Sequence, residues 1–397
     1  MEEKRYDLPN GFLCSGISAG IKEEKGKKDL GLIYTKDEAI LGAVYTQNRF
    51  PSAHVQYCRS LTPSDRFRAL IINSGNANAA TGTRGLEANL EMALSLAGQL
   101  RVEPNQVFTS STGIIGHQLP IDKIASSIPC LVEGLTPDCQ SVAEAIMTTD
   151  TKLKLARENM SVKGKEYTVI GFAKGSGMIH PNMATMLAYV LTDAPLPYSA
   201  IQAVTEEISK KSFNCVSVDG DTSTNDSFYL ISSNPVSEID ENSLDIIKSG
   251  FSKVAISLAK QIAGDGEGAK HLVEVRIAES PSKEIARNLM NAILTSNLVK
   301  TAIHGNDPNW GRILMAAGNG LPKNWNDINP PVSIKIQSVP VFINGEPASF
   351  DAKKLSEKMS QFEVLIEFFL HSGHYSLTGW GCDFSKEYVS INAHYST

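Results

Sequence analysis

The chain has 397 residues, 42% of them apolar, enough to fill the core of one large domain or of two. Its formal charge of -6 comes with no basic patch in the sequence, so neither a nucleic-acid nor an anionic-membrane partner is expected. The N-terminal MEEKRYDLPN alternates charges where a signal peptide needs an apolar core, and no apolar run approaches the roughly 18 residues that span a bilayer, so a cytoplasmic protein is expected.

Taken in chain order, AVYTQ (43–47) reads as a strand, and FRALIINSG (67–75) is a compact apolar run closed by turn residues. LEANLEMALSLAGQL follows, where Leu86, Leu90, Ala93, Leu94, Ala97 and Leu100 recur at helical spacing. YTVIGF (167–172) and MLAYVL (186–191) read as strands, Ile201, Val204 and Ile208 as a helix face, and FYLIS (228–232) as a strand. Helical stripes return in Leu244, Ile247, Phe251, Val254 and Leu258, and in Ile285, Leu289, Ala292 and Ile293. VSIKI (332–336), EVLIEFF (363–369) and EYVSINA (387–393) predict three more strands. The alternation predicts an α/β or α+β fold, sheets covered by helices, and no internal repeat points to a solenoid or propeller. The most linker-like stretch, SSNPVSEIDENS (232–243), is too short to carry a domain boundary.

Six scattered cysteines form no CxxC pair, so they read as reduced thiols rather than a disulfide framework or a thiolate metal site. Eight scattered histidines form no HExxH, and no metal is expected. Small polar residues crowd into NSGNANAATG (73–82), TSSTGIIG (109–116), KGSGMIHPNMAT (174–185), SVDGDTSTNDS (217–227) and HGNDPNWGR (304–312), each read as a loop at a sheet edge. Such loops are where rigid scaffolds place substrate contacts, yet none fits a dinucleotide or P-loop fingerprint.

The third of these segments ends in Thr185, just before a predicted strand. A threonine hydroxyl needs a base, and no triad motif surrounds it. Scission of the Ala184–Thr185 bond would supply one, because an N-terminal α-amine with a pKa of roughly 7.7 to 8.0 can accept a proton near neutrality. The same threonine is also what the start of a strand commonly carries, so the residues by themselves leave both readings open.

KGSGMIHPNMATML, with NSGNANAATG, SSTGIIG, DGDTSTNDS, DGEG and DPNWGRI in that family's order, resembles the glutamate N-acetyltransferase family, also called ornithine acetyltransferases. The resemblance runs from TQNRFPSAHV (46–55) to the final NAHYST. It implies an α/β sandwich like that of the self-processing aminopeptidases, self-cleavage after Ala184 into fragments 1–184 and 185–397, and assembly as a heterotetramer of two such pairs. It implies Thr185 as the nucleophile, Thr112 and Gly113 as the oxyanion hole, and substrate contacts at Thr151, Lys174, Thr185, Glu267, Asn392 and Thr397. It further implies acetyl transfer from N2-acetylornithine to glutamate with no metal or organic cofactor, acetyl-CoA being a co-substrate in some members. Lys174 suits an α-carboxylate and Glu267 an amine, by charge-assisted hydrogen bonds. The chain departs from the family pattern at Leu153, at Lys270 and His271 after DGEG, and at His394, which bears on substrate preference more than on reaction type. Two rival expectations stand beside this one: a self-processing aminopeptidase or amidohydrolase with water as acceptor, and a non-enzymatic small-ligand binder in which Thr185 only begins a strand.

Overall fold

The computed structural model describes residues 6–180, 186–323, 325 and 331–394, and arranges them in two layers of sheet with helices between and outside them. Among the described residues the first sheet has eight strands. Its path runs Val107–Ile114, Ser64–Asn76, Leu30–Tyr45, Ser227–Ser232, Leu187–Thr192, Lys165–Lys174 and Lys154–Val162, with Phe12–Ile17 pairing beside Leu30–Tyr45. The second sheet is built around Leu272–Ser280, flanked by Glu363–Phe369 and Tyr375–Cys382.

Leu187–Thr192 and Ser227–Ser232 are buried at every position and run parallel to each other. Continuous apolar runs are what a strand covered on both faces requires, so LAYVLT and SFYLIS take the centre of the sheet rather than an edge. On one face lies the helix Glu241–Gly264, begun by Asp240, whose carboxylate accepts the Ser243 N–H at 3.0 Å. Its Ile247, Phe251, Val254 and Leu258 stripe packs against Val169, Val190 and Leu230 of the first sheet and Val273, Val275 and Ile366 of the second. One apolar interior therefore joins the two sheets. Gly171 lets the helix approach: a Cβ there would lie 2.7 Å from Val254 Cγ1. On the opposite face Ala53–Arg59 and Gln140–Ala145 pack with Leu70, Ile72, Tyr189 and Tyr229, while Gly82–Leu100 and Ile121–Glu133 cover the alternate residues Leu32, Ala69, Ile71 and Val107.

The expected α/β sandwich of sheets and helices is thus present, with three local corrections. TSSTGIIG is not simply a loop: its residues through Ile114 continue the strand Val107–Ile114, held in parallel register with Ser64–Asn76. The helix Gly82–Leu100 buries Ala88, Met92, Ala93, Leu96 and Ala97 while Leu86, Leu90 and Leu94 stay 40 to 47% exposed, because apolar residues occupy two sides of that helix. EYVSINA is no strand; it lies in the helix Lys386–His394. Its alternating Val389, Ile391 and Ala393 mimic strand periodicity, but Ser385 caps the segment, its Oγ accepting the Tyr388 N–H at 3.2 Å, and the turn that follows is helical.

Candidate active site

The parallel strands Ser64–Asn76 and Val107–Ile114 finish side by side, bringing Gly75 against Gly113. A Cβ on Gly113 would stand 2.3 Å from the Gly75 carbonyl carbon, and its φ of +133° lies where side chains are strained, so the approach demands glycine. Thr112, next to it, is 4% exposed. Asn225 ties these strand ends to the segment 217–227: its Nδ2 donates to Ala77 O at 2.6 Å and to Ser111 O at 2.7 Å. Three of the polar segments picked out by composition therefore meet at one end of the sheet.

A fourth contributes Lys174, the last residue of its strand, which is 3% exposed and donates from Nζ to Thr112 Oγ1 at 3.1 Å. Burial lowers the pKa of this lysine, and the neighbouring Asp150 opposes that shift. Asp150 is itself fully buried. Burial alone would raise its pKa, but Lys154, Lys174 and the Gly175 N–H hold it down at about 2. Lys154 Nζ lies between Asp150, 2.6 Å away, and Asp265, 2.5 Å away, so two buried carboxylates share its charge. This dry lattice fixes the backbone from which Lys174 reaches the cavity, since Gly175 N–H donates to Asp150 Oδ1 at 2.7 Å.

The cavity has a volume of about 400 Å³, with Thr112, Gly113 and Lys174 on its walls along with Asp219, Glu267 and Asn392. Asp219 accepts the backbone N–H of Ile179 at 2.8 Å and the Tyr388 hydroxyl at 3.3 Å, and its burial pushes its pKa up. Glu267 accepts Asn392 Nδ2 at 2.8 Å, so the helix Lys386–His394 docks its Tyr388 and Asn392 over the acidic wall. One cation beside a hydroxyl and a glycine amide, facing carboxylates across a cavity, is an arrangement able to hold a zwitterionic ligand by both ends and to receive an oxyanion. Among the described residues no cluster of three or more His, Cys, Asp or Glu is arranged to hold a metal ion.

Of the residues named from sequence, Thr112, Gly113, Lys174, Glu267 and Asn392 meet at this cavity. Thr151 is turned elsewhere: its N–H donates to Asp265 at 3.0 Å and its hydroxyl donates to the same carboxylate, while Thr148 and Thr149 line the cavity. Ala184, Thr185 and Thr397 lie outside the described residues. Lys270 and His271 are held by Asp383, which accepts both backbone N–H groups at 2.8 and 3.0 Å, so their side chains vary a turn whose backbone is fixed. Sequence reasoning missed Asp150, Lys154 and Asp265, although the four-residue spacing of Asp150 and Lys154 in DTKLK was visible. It also missed Tyr388, because a strand reading of its segment hid the one-turn spacing to Asn392.

A model of the ArgJ family matches residues 13–397. The chain belongs to the ArgJ family. It is 41% identical, over 98% of its own length and 96% of the other's, to the arginine biosynthesis bifunctional protein ArgJ of Bacillus thuringiensis subsp. konkukian. Among solved structures, this ArgJ-family chain matches the Bacillus halodurans protein of the same name at 32% identity and a TM-score of 0.48, over 52% of this chain and 98% of that one. It also matches the Mycobacterium tuberculosis ornithine acetyltransferase solved with ornithine, at 29% identity and a TM-score of 0.39, over 47% of this chain and 98% of that one. Among the described residues no helix is long and apolar enough to cross a membrane.

Proposed function

We propose that this ArgJ-family enzyme of arginine biosynthesis transfers the acetyl group of N2-acetylornithine to glutamate through an acetyl ester on Thr185. The contact between Lys174 and Thr112 inside a cavity faced by Glu267 carries the reading, together with family membership. After scission behind Ala184, the free amine of Thr185 takes the proton of its own hydroxyl as that oxygen attacks the acetyl carbonyl. The Thr112 hydroxyl and the Gly113 N–H receive the oxyanion, and the C–N bond breaks as ornithine leaves with the proton. The amine of glutamate then attacks the ester, and Thr185 regains its hydroxyl hydrogen as N-acetylglutamate departs. Lys174 meets the α-carboxylate that both amino acids share, Glu267 and Asn392 bind at the other wall, and Thr151 and Thr397 complete the proposed contacts. The acetyl rides on the protein itself, so the scheme uses no metal or organic cofactor; acetyl-CoA enters only as an alternative donor.

Sheet topology supports fragments 1–184 and 185–397 staying together. Leu187–Thr192 of the second fragment is paired antiparallel with Lys165–Lys174 of the first, and Ser227–Ser232 with Leu30–Tyr45, so the sheet's central hydrogen bonds join both products. Two such units form the proposed heterotetramer, in the cytoplasm.

The deciding experiment is an intact-mass measurement under denaturing conditions, quenched after mixing with N2-acetylornithine. Two fragments meeting at residues 184 and 185, with one acetyl on the second, are expected, followed by acetylglutamate once glutamate is added. A single unmodified chain would overturn the reading, and free acetate in place of acetylglutamate would make the enzyme an amidohydrolase.

A further inference from the structure

The scheme above leaves a chemical gap. Before scission the nitrogen of Thr185 is an amide and cannot serve as a base, so the first acyl shift needs a proton acceptor from elsewhere in the fold. The described residues place a carboxyl group at the right point in the chain. Asp226 is closed off from solvent, and its Oδ1 accepts the N–H of Met186 at 3.0 Å. The nitrogen of Met186 is bonded to the carbonyl carbon of Thr185, so this carboxyl stands one residue from the peptide that must break.

The second oxygen of Asp226 has no hydrogen-bond partner among the described residues. Thr46 lies beside it, but its hydroxyl hydrogen goes to Ser223 O at 2.6 Å. Leaving a buried carboxylate oxygen unsatisfied is costly. If anchoring Met186 were the whole task, an asparagine carbonyl would accept the same N–H and carry no ionisable group. Burial raises the pKa of Asp226 well above the ordinary carboxylate value, and Lys174 is the cation that opposes this. A carboxylate whose pKa is raised is a stronger proton acceptor than an exposed one. Its position is also fixed: Ser227 N–H donates to Met186 O at 3.1 Å, and Ser227 Oγ lies 3.0 Å from Nε2 of the buried His54.

We propose that Asp226 is the proton carrier of the Ala184–Thr185 scission, an inference that rests on the self-cleavage reading above. The free oxygen of Asp226 takes the hydroxyl hydrogen of Thr185 as Oγ1 bonds to the Ala184 carbonyl carbon. The same proton passes to the Thr185 nitrogen as the C–N bond breaks, leaving an amine and an ester. Water then hydrolyses that ester, giving the carboxylate of Ala184 and restoring the threonine hydroxyl. From that point the freed amine is the base, and Asp226 has no further proton to carry.

The test follows scission by intact mass in the full chain and in its Thr185→Ala, Asp226→Asn and Asp226→Glu variants, with thermal unfolding as the check on folding. Wild type cut, Thr185→Ala uncut, Asp226→Asn slowed about a hundredfold or more, and Asp226→Glu substantially restored are the expected results. Asp226→Asn cut at the wild-type rate would overturn the proposal and leave self-cleavage standing, whereas an uncut wild type would remove self-cleavage itself. Hydroxylamine, which cleaves esters, adds a readout that a merely structural role would not move. If it releases the fragments of Asp226→Asn, the ester forms without this carboxyl and the proposal falls; if they stay joined, the shift itself is blocked, as expected. Should Asp226→Asn fail to fold, a folded Asp226→Glu chain that remains uncut would equally overturn the proposal.

Discussion

Lys174 Nζ stands 3.1 Å from the Thr112 hydroxyl, with both side chains closed off from bulk water. The lysine orients that hydroxyl by taking up a lone pair, which leaves the O–H free to point into the cavity. A donor held this way, in a site of low dielectric, suits a charge that develops only in the transition state.

Thr112→Val keeps the shape and removes the donor. The expected result is a fall in kcat of about a hundred- to a thousandfold with KM for N2-acetylornithine little changed, measured by steady-state kinetics. A rise in KM with kcat preserved would move Thr112 from the oxyanion to ground-state binding.

Gly113→Ala places a methyl group 2.3 Å from the Gly75 carbonyl carbon, at a φ of +133°. Backbone strain alone costs roughly 1–3 kcal/mol, and the overlap adds to it because both partners are main chain. A lower urea midpoint and loss of transfer activity are expected together; an unshifted midpoint would mean that the two strand ends can move apart.

How far the sequence exposed this site depends on how local each signal is. Thr112, Gly113, Lys174, Glu267 and Asn392 are reached through the family resemblance of the motifs that hold them, while the strands MLAYVL and FYLIS declare themselves by unbroken apolar runs. Asp265 lies 111 residues from the lysine it pairs with, and nothing local marks it as buried. The C-terminal helix was hidden for the opposite reason: its local pattern favours a strand, and the Ser385 cap and the docking of Asn392 on Glu267 decide otherwise. The face of Gly82–Leu100 was equally ambiguous, since apolar residues on both sides leave periodicity unable to choose between them.

Lys154→Met removes the cation shared by Asp150 and Asp265. Breaking a buried pair from one side leaves charge uncompensated, and a loss of about 3–5 kcal/mol is expected in urea unfolding at pH 7. Asp150 has its pKa depressed to about 2 in the folded chain, so its stabilisation is present above the unfolded value near 4 and is lost as pH falls towards 2. Lys154→Met should lose that acid dependence earlier, because the carboxyl it leaves behind takes a proton at higher pH.

His54 adds acid sensitivity of the same sign in a higher pH window. It is buried between the hydroxyls of Ser52, 2.9 Å from Nδ1, and Ser227, 3.0 Å from Nε2, and burial drives its pKa down to about 3. As pH falls below about 6.5 the unfolded imidazole takes a proton that the folded one refuses. The unfolded state then binds more protons, so stability falls by about 1.4 kcal/mol per pH unit in the window from 6.5 towards 3. His54→Gln has no such group, and its urea midpoint should decline less between pH 7 and 5 than that of the wild type. Parallel declines would show that the folded ring titrates normally.

Asn392 tests whether the helix Lys386–His394 is a binding element or part of the chemistry. Its amide donates to Glu267 at 2.8 Å and to Tyr388 O at 3.0 Å, while Tyr388, one turn earlier, reaches Asp219. These contacts position the acidic wall and touch nothing on the Thr112 side of the cavity, so they act equally on ground state and transition state. Asn392 is exposed, so in Asn392→Ala water replaces part of the lost bond. A rise in KM of about three- to tenfold with kcat within about twofold is therefore expected. Tyr388→Phe should act in the same direction, and the double variant should cost less than the product of the two, because one docked helix carries both contacts. A fall in kcat at constant KM would instead place Glu267 in proton transfer, with Asn392 holding it in the orientation that step needs.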